Sequence, residues 1–171
     1  MRLLFAFFLS LAASAFAAGA QGLDWRPYVN QRFGYSVDIP TGFLWPLPPP
    51  PNGDGLAFES ADGQVSVSVW GSNNALEWSF DDYFRAALAR EDLGRVTYQR
   101  KTEGWYVLSG YRPAPTPNWT GEVIFYERVA IDSGGNAISG LLVLFPPALK
   151  DFMDPIVTRL SRSLMPPARV Q

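Results

Sequence analysis

The sequence predicts an α+β fold: an antiparallel-rich sheet of about seven strands with a helix on each face, an α/β/α sandwich. Three observations carry this. Short segments rich in aromatic and β-branched residues recur along the chain, punctuated by Asp-Gly, Gly-Gly and proline. Two other segments repeat apolar residues every three or four positions. Several strands are apolar on both faces, with Trp105, Val107 and Tyr111 against Tyr106 and Leu108, and Val123, Phe125, Val129 and Ile131 against Ile124 and Tyr126. A sheet of that kind needs a cover on each side.

The chain opens MRLLFAFFLSLAASAFAAGAQG, with Arg2 as a positive start, Leu3 to Leu11 as an apolar stretch, and Ala15-Phe16-Ala17 or Ala18-Gly19-Ala20 as a small-residue cleavage site. This reads as a secretory signal peptide over 1–20. A retained anchor would need roughly 20 apolar residues, and the alanine-rich end with its two A-x-A sites fits cleavage better. Removal of 20 residues from 171 leaves 151, the size of one domain with chain enough for a core, spanning 21–171.

The first expected strand is FGYSVDIP, residues 33 to 40, with Tyr35, Val37 and Ile39 on one face and Pro40 closing it. The proline-rich TGFLWPLPPPPNGDG follows as a loop over 41–54. Leu56 to Ser60 and Gln64 to Trp70 form a hairpin about Asp62-Gly63, which supplies the positive φ angles of a tight turn. Ser79 caps a helix with Asp82 as its capping-box partner, Phe80, Tyr83, Phe84, Ala87 and Leu88 forming one stripe, and the helix ends by Gly94. Arg95 to Lys101 and Gly104 to Arg112 pair around Thr102-Glu103. Glu122 to Ile131 and Ala137 to Phe145 pair through a turn at 132–136 that contains Gly134 and Gly135. Leu149, Phe152, Met153, Ile156, Val157, Leu160 and Leu164 mark a final amphipathic helix, in which Asp151 as cap would place Pro155 within the first turn.

The short strand FGYSVDIP with an aromatic soon after it, the helix after the third strand, two long hairpins and a last helix ending in SRSLMP resemble the PsbP-like fold, shared with the Mog-type nuclear import regulators and with small periplasmic proteins of proteobacteria. The resemblance spans about Phe33 to Leu164. It implies an accessory or binding protein rather than an enzyme, and it carries over no residue as a functional site.

Composition excludes a good deal. Without histidine or cysteine, Ser-His-Asp and Cys-His catalysis, disulfides and the usual zinc and redox-metal sites are out of reach, and no cofactor is expected. A core-held exported domain without cysteine suits the bacterial periplasm, or secretion. Loss of Arg2 leaves 13 basic against 16 acidic residues with no basic stripe, so nucleic acid is not an expected partner, and no membrane span remains after signal cleavage.

Ser109 lacks the glycines of a nucleophile elbow, since Val107 and Tyr111 stand where they are needed; it reads as a space-filling residue. Asn118-Trp119-Thr120 matches a glycosylation sequon formally, and Asn52-Gly53-Asp54 reads as a solvated turn rather than a calcium loop. Carboxylate-based hydrolysis of envelope carbohydrate is the alternative function, with Glu103, Glu122 and Glu127 as candidates; Glu127 beside Arg128 reads equally as a sheet-edge or neutralised pair. The leading expectation is a non-catalytic module that binds a protein or envelope component through loops. Counting strand reversals brings 41–54, 71–78 and 132–136 to one end of the sheet, which would unite Trp45, Leu47, Asn73, Asn74 and Trp78 in one contact rim.

Overall fold

A computed structural model describes residues 22–115 and 119–167. The expected signal peptide, the mature start at Gln21 and the sequon residue Asn118 lie outside the described residues. Two strands, β1 (Asp24–Val29) and β2 (Ser36–Thr41), pair as a two-stranded sheet. Seven more form the main sheet: β3 (Leu44–Pro46), β4 (Gly55–Ser60), β5 (Ser66–Asn73), β6 (Arg95–Lys101), β7 (Trp105–Pro113), β8 (Glu122–Ile131) and β9 (Ala137–Phe145). Their spatial order is β3-β4-β5-β9-β8-β7-β6, and every neighbouring pair is antiparallel.

Helix α1 (Phe80–Leu88) begins at a capping box in which the Ser79 hydroxyl accepts from Asp82 N–H and the Asp82 carboxylate accepts from Ser79 N–H, as the sequence predicts. It is shorter than expected. A 3-10 turn, Glu91–Leu93, follows it, and Gly94 at φ 83° turns the chain into β6. Helix α2 (Lys150–Ser163) starts from a 3-10 turn at Pro147–Leu149, so Leu149 and not Asp151 is its cap, and Pro155 lies within the helix. Pro155 is on the exposed face, where the carbonyl it leaves without a donor can reach water.

Both faces of the sheet are buried, as its two-sided apolar strands require. On one face Val67, Val69, Leu141 and Val143 meet Met153, Ile156 and Leu160 of α2. On the other, Tyr106, Leu108, Val123, Phe125 and Val129 lie under Ala87 of α1 and Leu93. Leu160 is fully buried, so its truncation to alanine would cost about 2–5 kcal/mol. The C-terminal turn of α2 is tied to the sheet by Arg128, whose Nη1 donates to the Ser161 carbonyl, and by a 2.7 Å bond between the hydroxyls of Tyr126 and Ser161. A guanidinium there also meets the negative end of the helix dipole.

The first expected strand does not join the main sheet. Its partner is β1, a segment without apolar alternation, and the hairpin they form lies beside α2, where Tyr35, Val37 and Ile39 complete the same core. The seventh place in the main sheet goes to β3, three residues inside the expected proline-rich loop. Proline fits there because β3 is an edge strand, where one row of backbone donors has no partner to satisfy.

Candidate interaction surface

Between β5 and α1 the segment NALEWS, residues 74–79, has no apolar periodicity, so side-chain to main-chain bonds must set its shape. Asn74 supplies them. Its Nδ2 donates to the carbonyls of Trp78 and Gly135, each at 2.8 Å, and its Oδ1 accepts from Trp78 N–H at 2.9 Å and from the Tyr83 hydroxyl at 2.8 Å. An amide has two donor hydrogens and two acceptor lone pairs, so all four places are filled. The Asn74 N–H donates to the Asn136 carbonyl at 2.7 Å, which joins the segment to the β8–β9 turn.

That turn is organised in the same way. The Asp132 carboxylate accepts from the N–H groups of Asn136 at 2.6 Å, Ala137 at 2.9 Å and Gly134 at 3.3 Å. Burial opposes its charge, but these main-chain donors outweigh burial and hold its pKa below the ordinary aspartate value. Gly135, at φ 72°, takes the left-handed position the turn needs.

The frame displays two large apolar side chains. Leu76 is 66% exposed and Trp78 37% exposed, the Trp78 ring standing edge-on to Tyr83 at 5.4 Å. Between them Glu77 has φ 52°, the one non-glycine residue with positive φ among the described residues. Such a conformation costs about 1–3 kcal/mol, and surrounding structure must hold it; the Asn74 bonds do so here. Exposed Asn73 completes the rim. Apolar anchors on a frame already rigid lose little freedom when a partner covers them.

The expected rim is thus only partly assembled. Asn73, Asn74 and Trp78 come together with the 132–136 turn, but Trp45 and Leu47 lie elsewhere. Trp45 is opposite Glu59, which is opposite Ser66 at the start of β5, about 23 Å along the strand direction from Asn73. Leu47 is half-buried, and its N–H donates to the Ala57 carbonyl. The cause is β3. The 41–54 segment enters at the opposite end of the sheet, where Leu44–Pro46 pair with β4 as the edge strand, and it comes near the rim's end only at Asp54, whose carbonyl accepts from Gly71 N–H. Asn74 is not an adaptable contact group either, since its polar atoms are already used. Leu76 was missed; a leucine in a short polar segment between two elements was the available signal.

The three candidate carboxylates do not face one another. Glu103 is in the β6–β7 turn, and Glu122 lies 3.9 Å from Arg95 at the opposite end of the sheet. Glu127, 1% exposed, is neutralised by Arg90, whose Nη2 is 2.6 Å from Glu127 Oε2; the Tyr106 hydroxyl donates to Oε1 at 3.3 Å. Arg128 is not its partner, because successive strand residues point to opposite faces, and β8 is a central strand, not an edge. Burial lowers the preference of Arg90 for its charge, but the Glu127 carboxylate more than restores it, leaving the pKa raised. Ser109 donates its hydroxyl to the Phe125 carbonyl at 2.8 Å.

At the end of the sheet remote from the rim, a cavity of about 280 Å³ is lined by Glu59, Asp62, Gln64, Ser66 and Trp119. Asp62 there accepts from the Ser60 hydroxyl at 2.6 Å and from Gln64 N–H at 3.0 Å, and these bonds lower its pKa.

No protein-family model matches the chain, and no curated protein matches its sequence. Solved structures do resemble it. The Ran-binding protein Mog1p of Saccharomyces cerevisiae superposes with a TM-score of 0.60 at 9% identity, over 84% of this chain and 96% of that one. The cyanobacterial PsbP protein CyanoP of Synechocystis sp. PCC 6803 gives 0.53 at 13% identity, over 86% and 95%. A protein of unknown function from Pseudomonas aeruginosa gives 0.51 at 12% identity, over 85% and 99%. At these identities the likeness is one of fold, and the fold is PsbP- and Mog-like, as the element order predicts.

Proposed function

We propose that the protein is an exported, non-catalytic binding module, periplasmic or secreted, that contacts a protein or envelope component through the rim formed by residues 73–78 and the 132–136 turn. One observation carries this reading: Leu76 and Trp78 are exposed on a segment that the Asn74 side chain already ties at Trp78 and Gly135. Exposed apolar anchors on a preorganised frame are what a protein-contact hot spot requires. A Ran-binding protein among the structures of like fold supports a binding role for this architecture. No helix among the described residues is long and apolar enough to cross a membrane. A photo-reactive residue placed at position 76 in living cells should crosslink to a discrete partner, whereas the same group at position 45 should not. Equal capture from both positions would remove the rim from the account.

A second reading has one observation in its favour. Glu59 and Asp62 both line the cavity at the far end of the sheet, beside Trp119, as a carboxylate-based hydrolase of envelope carbohydrate would need. Release of reducing sugar from cell-wall glycan by the wild-type protein, abolished by Glu59→Gln, would establish it; no release at any enzyme concentration would dismiss it.

A further inference from the structure

A second site, separate from the rim, lies where α1 covers the sheet. The helix buries only Ala87 completely and leaves a cleft of about 240 Å³ between itself and the strands beneath. Trp70, Tyr83 and Tyr106 supply aromatic walls, Ala86 faces in from the helix, and Glu127 with Arg90 closes one end. The indole wall is fixed by the sheet: Trp70 lies so close over Gly140 that a Cβ there would come within 2.1 Å of Cζ2, so glycine is what lets the ring lie down. The cleft also holds a nearly fully buried carboxylate, that of Glu127. This one has unused bonding capacity, because Glu127 Oε1 receives only the long 3.3 Å bond from Tyr106 although a carboxylate oxygen accepts two.

We propose that this cleft binds a small uncharged aromatic molecule carrying one hydrogen-bond donor, of the phenol or indole class. The ring packs among Trp70, Tyr83 and Tyr106, and its O–H or N–H donates to Glu127 Oε1. Size agrees, since about 240 Å³ in a cleft open on one side has room for a single aromatic ring. Charge selects as well. An anion would be set against the buried Glu127 carboxylate, and a cation would have to compete with Arg90 for it. A ring without a donor would leave Oε1 as it is while displacing any water that served it.

The test is a titration of the isotope-labelled protein followed by amide chemical shifts, with phenol, indole, toluene, benzoate and benzylammonium as the probes. Phenol and indole are expected to shift Trp70, Tyr83 and Val129 saturably, with toluene and benzoate weaker by about tenfold or more, the cost of an unmade bond to a buried acceptor or of an opposed charge. Ala86→Leu, which fills the cleft from the helix side, should abolish these shifts. Tyr106→Phe removes the other donor to Oε1, which leaves that oxygen a stronger acceptor for the ligand and should tighten phenol binding severalfold, a gain that a merely structural tyrosine would not give. Toluene binding as well as phenol, benzylammonium binding best, weakened phenol binding in Tyr106→Phe, or no saturable shift with any probe would each overturn the proposal. If Ala86→Leu fails to fold, the phenol–toluene comparison on the wild-type protein decides alone.

Discussion

Asn74 holds both main-chain polar groups of Trp78: its side chain donates to the Trp78 carbonyl at 2.8 Å and accepts from the Trp78 N–H at 2.9 Å. Residues 74–78 are thereby closed into a ring, and the same amide reaches Gly135 across the gap to the β8–β9 turn. Two surface loops become one rigid body, and Leu76 projects from it.

Asn74→Ala should therefore cost more than a half-exposed polar residue normally does. Four bonds are lost, two of them to groups that solvent can re-satisfy, so the expected loss is about 1–3 kcal/mol. Hydrogen exchange should quicken at residues 73–78 and at 135–137, and partner capture from position 76 should fall although no anchor has been removed. Unchanged exchange would mean that the loop is held by something else.

Arg90 and Glu127 make a second test. Removing the guanidinium strands a carboxylate that is 1% exposed, so Arg90→Ala should destabilise by about 2–4 kcal/mol, at the low side of the range for buried pairs because Arg90 itself is partly in water. Arg90→Met with Glu127→Leu should recover most of that loss. Denaturant midpoints of the two variants, compared with wild type, provide the check.

Acid should loosen the rim through Asp132. Folding lowers its pKa, so the stability it contributes is complete above the unfolded value and is lost as pH falls through the folded value. The difference in stability between wild type and Asp132→Asn should therefore shrink as pH drops below about 4. The pKa values of Asp62 and Asp82 are lowered too, but both residues are present in both proteins, so their contributions cancel in the comparison. Urea unfolding at a series of pH values measures it.

Ser109→Ala should be mild, costing about 1 kcal/mol for the one hydroxyl bond to the Phe125 carbonyl. Partner capture should be unaffected. Loss of function in a fully folded variant would give this serine a chemical role.

Much of the fold was legible because its signals are local. Asp62-Gly63 and Gly134-Gly135 announced two hairpins, Ser79 and Asp82 announced a helix, and two-faced apolar strands announced a doubly covered sheet. What was hidden depends on pairing at a distance. Nothing in DWRPYV alternates, so β1 shows only against β2, and β3 is a strand because Ser60, Glu59 and Phe58 lie beside it. The site suffered similarly. Glu127 in a buried strand had to have a cation, but strand alternation ruled out its neighbour Arg128, and Arg90 is distant in sequence. Trp45 was assigned to the rim by counting reversals across a loop that in fact contains a strand.

The proposed contact is made by Leu76 and Trp78, and crosslinking in living cells with two paired variants tests it most directly. Leu76→Ser with Trp78→Ser should reduce partner crosslinks by about tenfold or more, as loss of hot-spot anchors does, and should leave the thermal transition within about 3 °C of wild type, as surface substitutions do. Trp45→Ser with Leu47→Ser should leave the crosslinks in place. Crosslinks that survive the first pair and vanish with the second would contradict the account.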